Sequence, residues 1–205
     1  MSLALDLGLV ALFALLWPLY AWRVEYPRLL AALARGEEAA RGRACRRTIL
    51  QQWPLAIMAV ALWLGAGRPV TAIGLGLPHP WRVAAGLLVA AALVAALAAQ
   101  RRAVRARPEL LGRVRAQLGR AGALVPRTAR ERRWWVPLSI TAGVCEEILF
   151  RGYLAALLAT WIGGIPAALA ASVIFGFAHL YLGRTGAIRA GIVGGVMAVF
   201  VGLTG

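Results

Sequence analysis

Residues 134–158 read Trp134-Trp135-Val136-Pro137-Leu138-Ser139-Ile140-Thr141-Ala142-Gly143-Val144-Cys145-Glu146-Glu147-Ile148-Leu149-Phe150-Arg151-Gly152-Tyr153-Leu154-Ala155-Ala156-Leu157-Leu158. The run is long and apolar enough to cross a bilayer, whose hydrocarbon core takes about 20 helical residues. It nevertheless holds Glu146, Glu147 and Arg151 within six positions. A charged side chain at bilayer depth costs roughly 2.5–3.5 kcal/mol on insertion scales, so such residues persist mostly where they act. A second clue lies on the next apolar stretch, Phe175-Gly176-Phe177-Ala178-His179.

The surrounding chain has the same character. Its 205 residues are 61% hydrophobic, with a mean hydropathy of +0.73. A soluble domain is nearer half apolar. In lipid only helices and closed barrels satisfy every backbone polar group. The apolar runs are continuous and do not alternate every second residue, which favours helices over a barrel. The expected fold is therefore all-α, a polytopic transmembrane bundle of about six spans. They fall near 3–22, 49–65, 81–99, 135–158, 164–182 and 187–203. The first lacks a basic leader and is expected to be a retained span, not a signal peptide.

Charge gives the orientation. The net charge is +15, and every basic residue is an arginine. Residues 23–48 hold seven arginines and residues 100–133 hold eleven, whereas residues 67–80 hold only Arg68. Alternate connections are thus arginine-rich and arginine-poor, the positive-inside pattern. It puts both basic segments in the cytoplasm and the N-terminus outside. Membrane lipid, not nucleic acid, is the partner this distribution implies. Residues 108–133 could form an amphipathic surface helix bearing Leu110, Leu111, Val114, Leu118, Leu124 and Val125, or a solvated basic linker. Cys45 and Cys145 lie far apart, with no Cys-x-x-Cys spacing. They read as buried fillers and not as a disulfide or zinc pair.

The charged helix suggests chemistry. On a regular helix Glu147 and Arg151 are four apart and share a face. Glu146 lies about 100 degrees round from Glu147 and about 140 degrees from Arg151. It has no local counter-charge. A buried carboxylate poised near neutral pH suits a general base. A packing ion pair alone would not need that second carboxylate. His179 shares a face with Phe175, and its imidazole could bind zinc or donate a hydrogen bond. Glu146 sits deeper in its span than His179 does in its own. The two can meet only if the fifth helix extends, or if a water-filled pocket opens from the cytoplasmic side. His79 is assigned no role.

The ordered pair of motifs, Glu146-Glu147-x-x-x-Arg151 and Phe175-x-x-x-His179, resembles the CAAX protease and bacteriocin-processing (CPBP, or Abi) family of intramembrane proteases. These include the type II CAAX prenyl endopeptidases. The string from Glu146 to Tyr153 is similar to the family's first motif throughout. Residues 134–205 then correspond to the family core, and residues 1–133 to variable N-terminal spans with basic connections. The resemblance implies an integral protein of the bacterial cytoplasmic membrane that hydrolyses a peptide bond in a peptide or protein substrate. Carried over by motif, Glu146 activates the water and His179 binds or orients it, with Glu147, Arg151 and Phe175 in support.

If a metal takes part, Glu146 and His179 are the residues that could hold zinc, although a catalytic zinc site needs about three protein ligands. The family also carries a later His with Asn or Asp four residues on, and no histidine follows His179. The core is therefore expected to be truncated at its C-terminus. The alternative expectation is a catalytically incomplete family member acting as a membrane scaffold or immunity factor.

Overall fold

The computed structural model describes residues 3–76 and 80–204, and every regular element among them is helical. His79 lies outside the described residues. Helix α1 spans Leu3–Ala34. It is interrupted by two widened π-helical stretches, Leu12–Leu16 and Ala21–Glu25, each just ahead of a proline, Pro18 or Pro27. A proline ring clashes with the carbonyl four residues earlier and lacks an N–H, so the helix must open there. Helix α2 is Ala40–Gly65, α3 is Pro80–Ala106 and α4 is Pro108–Leu118. Helix α5 covers residues 129–162 without a break, α6 is Gly164–Ala178 and α7 is Gly183–Thr204.

Most helices outrun the expected spans, whereas α6 stops at Ala178, short of 182. The first arginine-rich connection shrinks to residues 35–39, because α1 continues to Ala34 and α2 already begins at Ala40. Arginine and alanine are good helix formers, so nothing stops the helix where the lipid would. By length and composition α1, α2 and the 83–106 part of α3 qualify as membrane spans. Helices α6 and α7 pass the same test only as a pair, inclined at 51° across a short break. Helix α5 is about 50 Å long at 1.5 Å per residue, ample for a crossing. Its charged residues set it apart from the simpler spans.

The contacts between α6 and α7 run in opposite directions. Gly176 approaches Ala187 and Gly191, while Ser172 approaches Gly191 and Gly194. The pair is a helical hairpin, closed by the turn Leu180–Leu182. The approach is close because small residues meet. A Cβ added at Gly176 would stand 2.8 Å from the Ala187 carbonyl oxygen. Backbone approach between small residues is how helices associate in lipid, where no water is left to expel.

The core forms where α1, α2 and α6 pack around α5. Phe13 of α1, Phe150 of α5 and Phe175 of α6 stack edge-on, at 5.3 and 5.2 Å between ring centroids. Ala56 and Ala59 bring α2 close, and Cys145 and Tyr153 are fully buried. Both cysteines are free and buried. Helix α3 stands apart, with none of its apolar stretch buried by the rest of the chain.

The stretch 108–133 is not one surface helix. Helix α4 stops at Leu118, and Gly119 turns the chain with φ of 48°, a conformation that suits glycine. Helix α5 then starts with a capping box: the Thr128 hydroxyl accepts from the Glu131 N–H, and the Glu131 carboxylate accepts from the Thr128 N–H. Glu131 also pairs with Arg41 at 3.0 Å, and Arg41 donates to the Ala123 carbonyl at 2.8 Å. The connection is thereby tied to α2. The side chains of Leu110 and Leu111 lie outside the described residues.

Candidate active site

Glu146 ends the first regular stretch of α5, and a π-helical stretch, Glu147–Leu154, follows directly before regular helix resumes at Ala155. The regular helical wheel expected from the sequence therefore ends at Glu146. Widened turns of this kind recur at functional sites, because they re-aim side chains that a regular helix would stack. Gly152 lies in the widened stretch, where the turn Val70–Ile73 presses on the helix. A Cβ there would be 2.7 Å from the Ile73 carbonyl oxygen.

The widened helix sends the charged residues to different sides. Glu146 faces a cavity of about 570 Å³ between α1, α2, α5 and the end of α6. Its Oε1 accepts a hydrogen bond from Gln52 Nε2 of α2 at 3.1 Å. Arg151 instead lines a smaller pocket of about 160 Å³ against α6 and α7. Glu147 and Arg151 form the ion pair their spacing predicts. The Arg151 side chain is 14% exposed and that of Glu147 45%. The guanidinium also lies 4.9 Å over the Phe175 ring. The pair braces α5 against α6 and lies away from the cavity Glu146 faces.

His179 reaches the same cavity as Glu146. Helix α6 ends at Ala178, and His179 caps it with φ −99° and ψ 13°. Its ring folds back over Phe175, 4.6 Å between centroids. Nδ1 lies 2.9 Å from the Phe175 carbonyl oxygen. A carbonyl only accepts, so Nδ1 carries a proton, an arrangement that in a neutral imidazole leaves the lone pair on Nε2. Phe175 thus orients His179 by its backbone and holds Arg151 by its ring.

The sequence reading missed two neighbours. Gln52 belongs to a pair, Gln51-Gln52, inside an apolar span, and polar residues at such depth are the signal that could have found it. Tyr181 also lines the cavity, with its ring 5.9 Å from His179 and 6.1 Å from Tyr26. Tyr26 in turn donates to the Arg120 carbonyl at 2.6 Å. From Glu146 the cavity passes apolar walls such as Leu55, Leu138 and Phe13. It ends among the exposed Arg28, Arg35, Arg43 and Arg47. The pocket required for Glu146 and His179 to meet therefore reaches the arginine-rich end of the bundle.

Zinc does not fit this donor set. Among the described residues no group of three His, Cys, Asp or Glu side chains stands together. Glu146 and His179 alone fall short of the three protein ligands typical of a catalytic zinc.

The chain is an all-helical membrane protein in which the two motifs converge on one cavity. Residues 129–205 match the family model of the Rce1-like type II CAAX prenyl endopeptidases. The match begins at Ala129, where the capping box starts α5. The resemblance carried by the two motifs is borne out. No curated protein and no solved structure matches the chain.

Proposed function

We propose that the chain is an intramembrane endopeptidase of the CAAX-protease type, in which Glu146 activates a water molecule and His179 orients it. The single observation behind this reading is that Glu146 and His179 line one cavity although they sit on different helices. A water between them gives one proton to the Glu146 carboxylate as its oxygen bonds to the scissile carbonyl carbon. His179 Nε2 accepts a hydrogen bond from the other hydrogen, which aims the oxygen. The C–N bond then breaks, and the proton on Glu146 passes to the leaving nitrogen. The apolar walls seat a hydrophobic peptide segment, and the arginine-rich end of the bundle lies on the cytoplasmic side.

The test is a quenched fluorescent, farnesylated CAAX peptide presented to the protein in liposomes. Wild type releases the fluorophore, while Glu146→Gln and His179→Ala insert normally and do not. Cleavage at the wild-type rate by both variants would overturn the mechanism. Normal insertion with no cleavage by any form would leave the scaffold or immunity reading.

A further inference from the structure

Glu146 belongs to the stretch that matches the family, yet its hydrogen-bond partner does not. Gln52 lies on α2, 94 residues away, outside residues 129–205. We infer that Gln52 is a positioning residue, whose amide holds the Glu146 carboxyl group toward the cavity through the reaction. This rests on the endopeptidase reading for its kinetic consequence but not for the contact itself.

An amide suits the task for a chemical reason. A carboxylate only accepts, and the Gln52 –NH₂ donates to it at 3.1 Å. After taking a proton from water, Glu146 becomes a donor. The Gln52 Oε1 is buried with no hydrogen-bond partner, so the same amide holds an acceptor in reserve. A rotation of the amide exchanges one bond for the other. An arginine or lysine would serve only the charged form, and a leucine neither. The backbone of α2 is fixed nearby, since Trp53 Nε1 donates to Thr141 of α5 at 3.2 Å. Gln52 is therefore presented by a helix already docked on the one it serves.

The experiment compares wild type, Gln52→Met, which keeps size and removes the amide, and Gln52→His, which keeps a donor. Gln51→Met is the control. In liposomes, infrared difference spectra assign the Glu146 carboxyl bands by their loss in Glu146→Gln. The expected result is that these bands move and broaden in Gln52→Met, move less in Gln52→His, and stay put in Gln51→Met. With the farnesylated peptide, Gln52→Met lowers kcat about tenfold or more with KM little changed, because misorienting a reacting group costs rate and not binding. Gln52→His recovers part of the loss.

Glu146 bands unmoved in Gln52→Met overturn the proposal, as does an unchanged kcat in a variant whose bands have moved. If Gln52→Met fails to insert, Gln52→Leu, which also lacks the amide, carries the same two readings. A wild type that cleaves nothing defeats the endopeptidase reading, and the infrared bands still decide the contact.

Discussion

Tyr153 donates its hydroxyl hydrogen to Asp6 across 2.5 Å, joining two side chains 147 positions apart. Arg68 grips the same carboxylate at 3.1 and 2.5 Å, and its guanidinium lies 4.8 Å over the Trp63 ring. Asp6 is only 4% exposed. This network ties α1, the turn after α2, and α5 together at the end of the bundle remote from the arginine-lined part of the cavity. Removing one member of a buried charged network leaves the others unpaired, which typically costs 3–5 kcal/mol. The Arg68 side chain is 27% exposed, so water offsets part of that. Asp6→Asn should lose about 2–3 kcal/mol and Tyr153→Phe about 1.5 kcal/mol. The double variant should lose less than the sum, read as thermal unfolding in detergent. Strict additivity would mean the bonds are not coupled.

The motif ion pair makes a different prediction. Arg151→Met alone leaves Glu147 without its partner, and Glu147→Gln alone leaves a mostly buried guanidinium over Phe175. Each single change should destabilise by about 2 kcal/mol, reduced from the fully buried figure because Glu147 is nearly half exposed. The double change Glu147→Gln with Arg151→Met should be milder than Arg151→Met alone. Melting temperatures of the four forms decide it.

Helix contact depends on the absence of a side chain at Gly176. Gly176→Val should push α7 off α6 and cost about 1–3 kcal/mol or more, as overpacking does. At Gly195 an added Cβ meets nothing within 4 Å. Gly195→Ala should therefore be neutral or slightly stabilising. Equal melting of the two variants would contradict the hairpin geometry.

Acid should loosen the base of α5. Burial raises the pKa of Glu131. The hydrogen bonds from the Arg127 and Thr128 N–H groups and the Arg41 guanidinium outweigh this and hold the carboxyl below its ordinary value. A depressed folded pKa stabilises above the unfolded value, near 4.3, and that contribution is lost as pH falls through the folded value. Stability should be flat from neutral pH to about pH 5 and then drop. Glu131→Gln should be less stable at neutral pH and should lack that part of the acid slope. Parallel unfolding curves for the two proteins from pH 7 to 3 would refute it.

Catalysis supplies the last prediction. General-base assistance is worth about 10²–10⁴-fold. Glu146→Gln should therefore lower kcat by at least about 100-fold with KM nearly unchanged. Glu147→Gln should lower it far less, because that carboxylate faces away from the cavity. Equal losses at both positions, measured with the farnesylated peptide, would show that cavity geometry does not distinguish them.

How much of this could be read in advance varies residue by residue. The Glu147–Arg151 pair was legible because spacing along a helix is a local property, and it survives the change to a widened turn. The capping box Thr128-x-x-Glu131 is equally local, but the sequence reading ran residues 108–133 together and passed over it. Most expected span ends, though not that of α6, fell short of the helix ends, because lipid thickness limits hydrophobicity and not backbone hydrogen bonding. Arg68 read as the one arginine of its connection, and nothing in the sequence marked Asp6 as its partner. Their pairing depends on two helices and a turn meeting.

By itself the sequence determined an all-helical membrane protein, the place of its charges along the helices, and a family likeness in its C-terminal part. Those follow from composition, period and short motifs, which act within a few residues. Only the tertiary structure decided that Glu146 and His179 share a cavity, that Glu147 and Arg151 turn away from it, and that Gln52 holds the acidic group. These depend on a widened turn in α5 and on how closely glycine and alanine let the helices approach, and packing distances are not written in the order of residues along one chain.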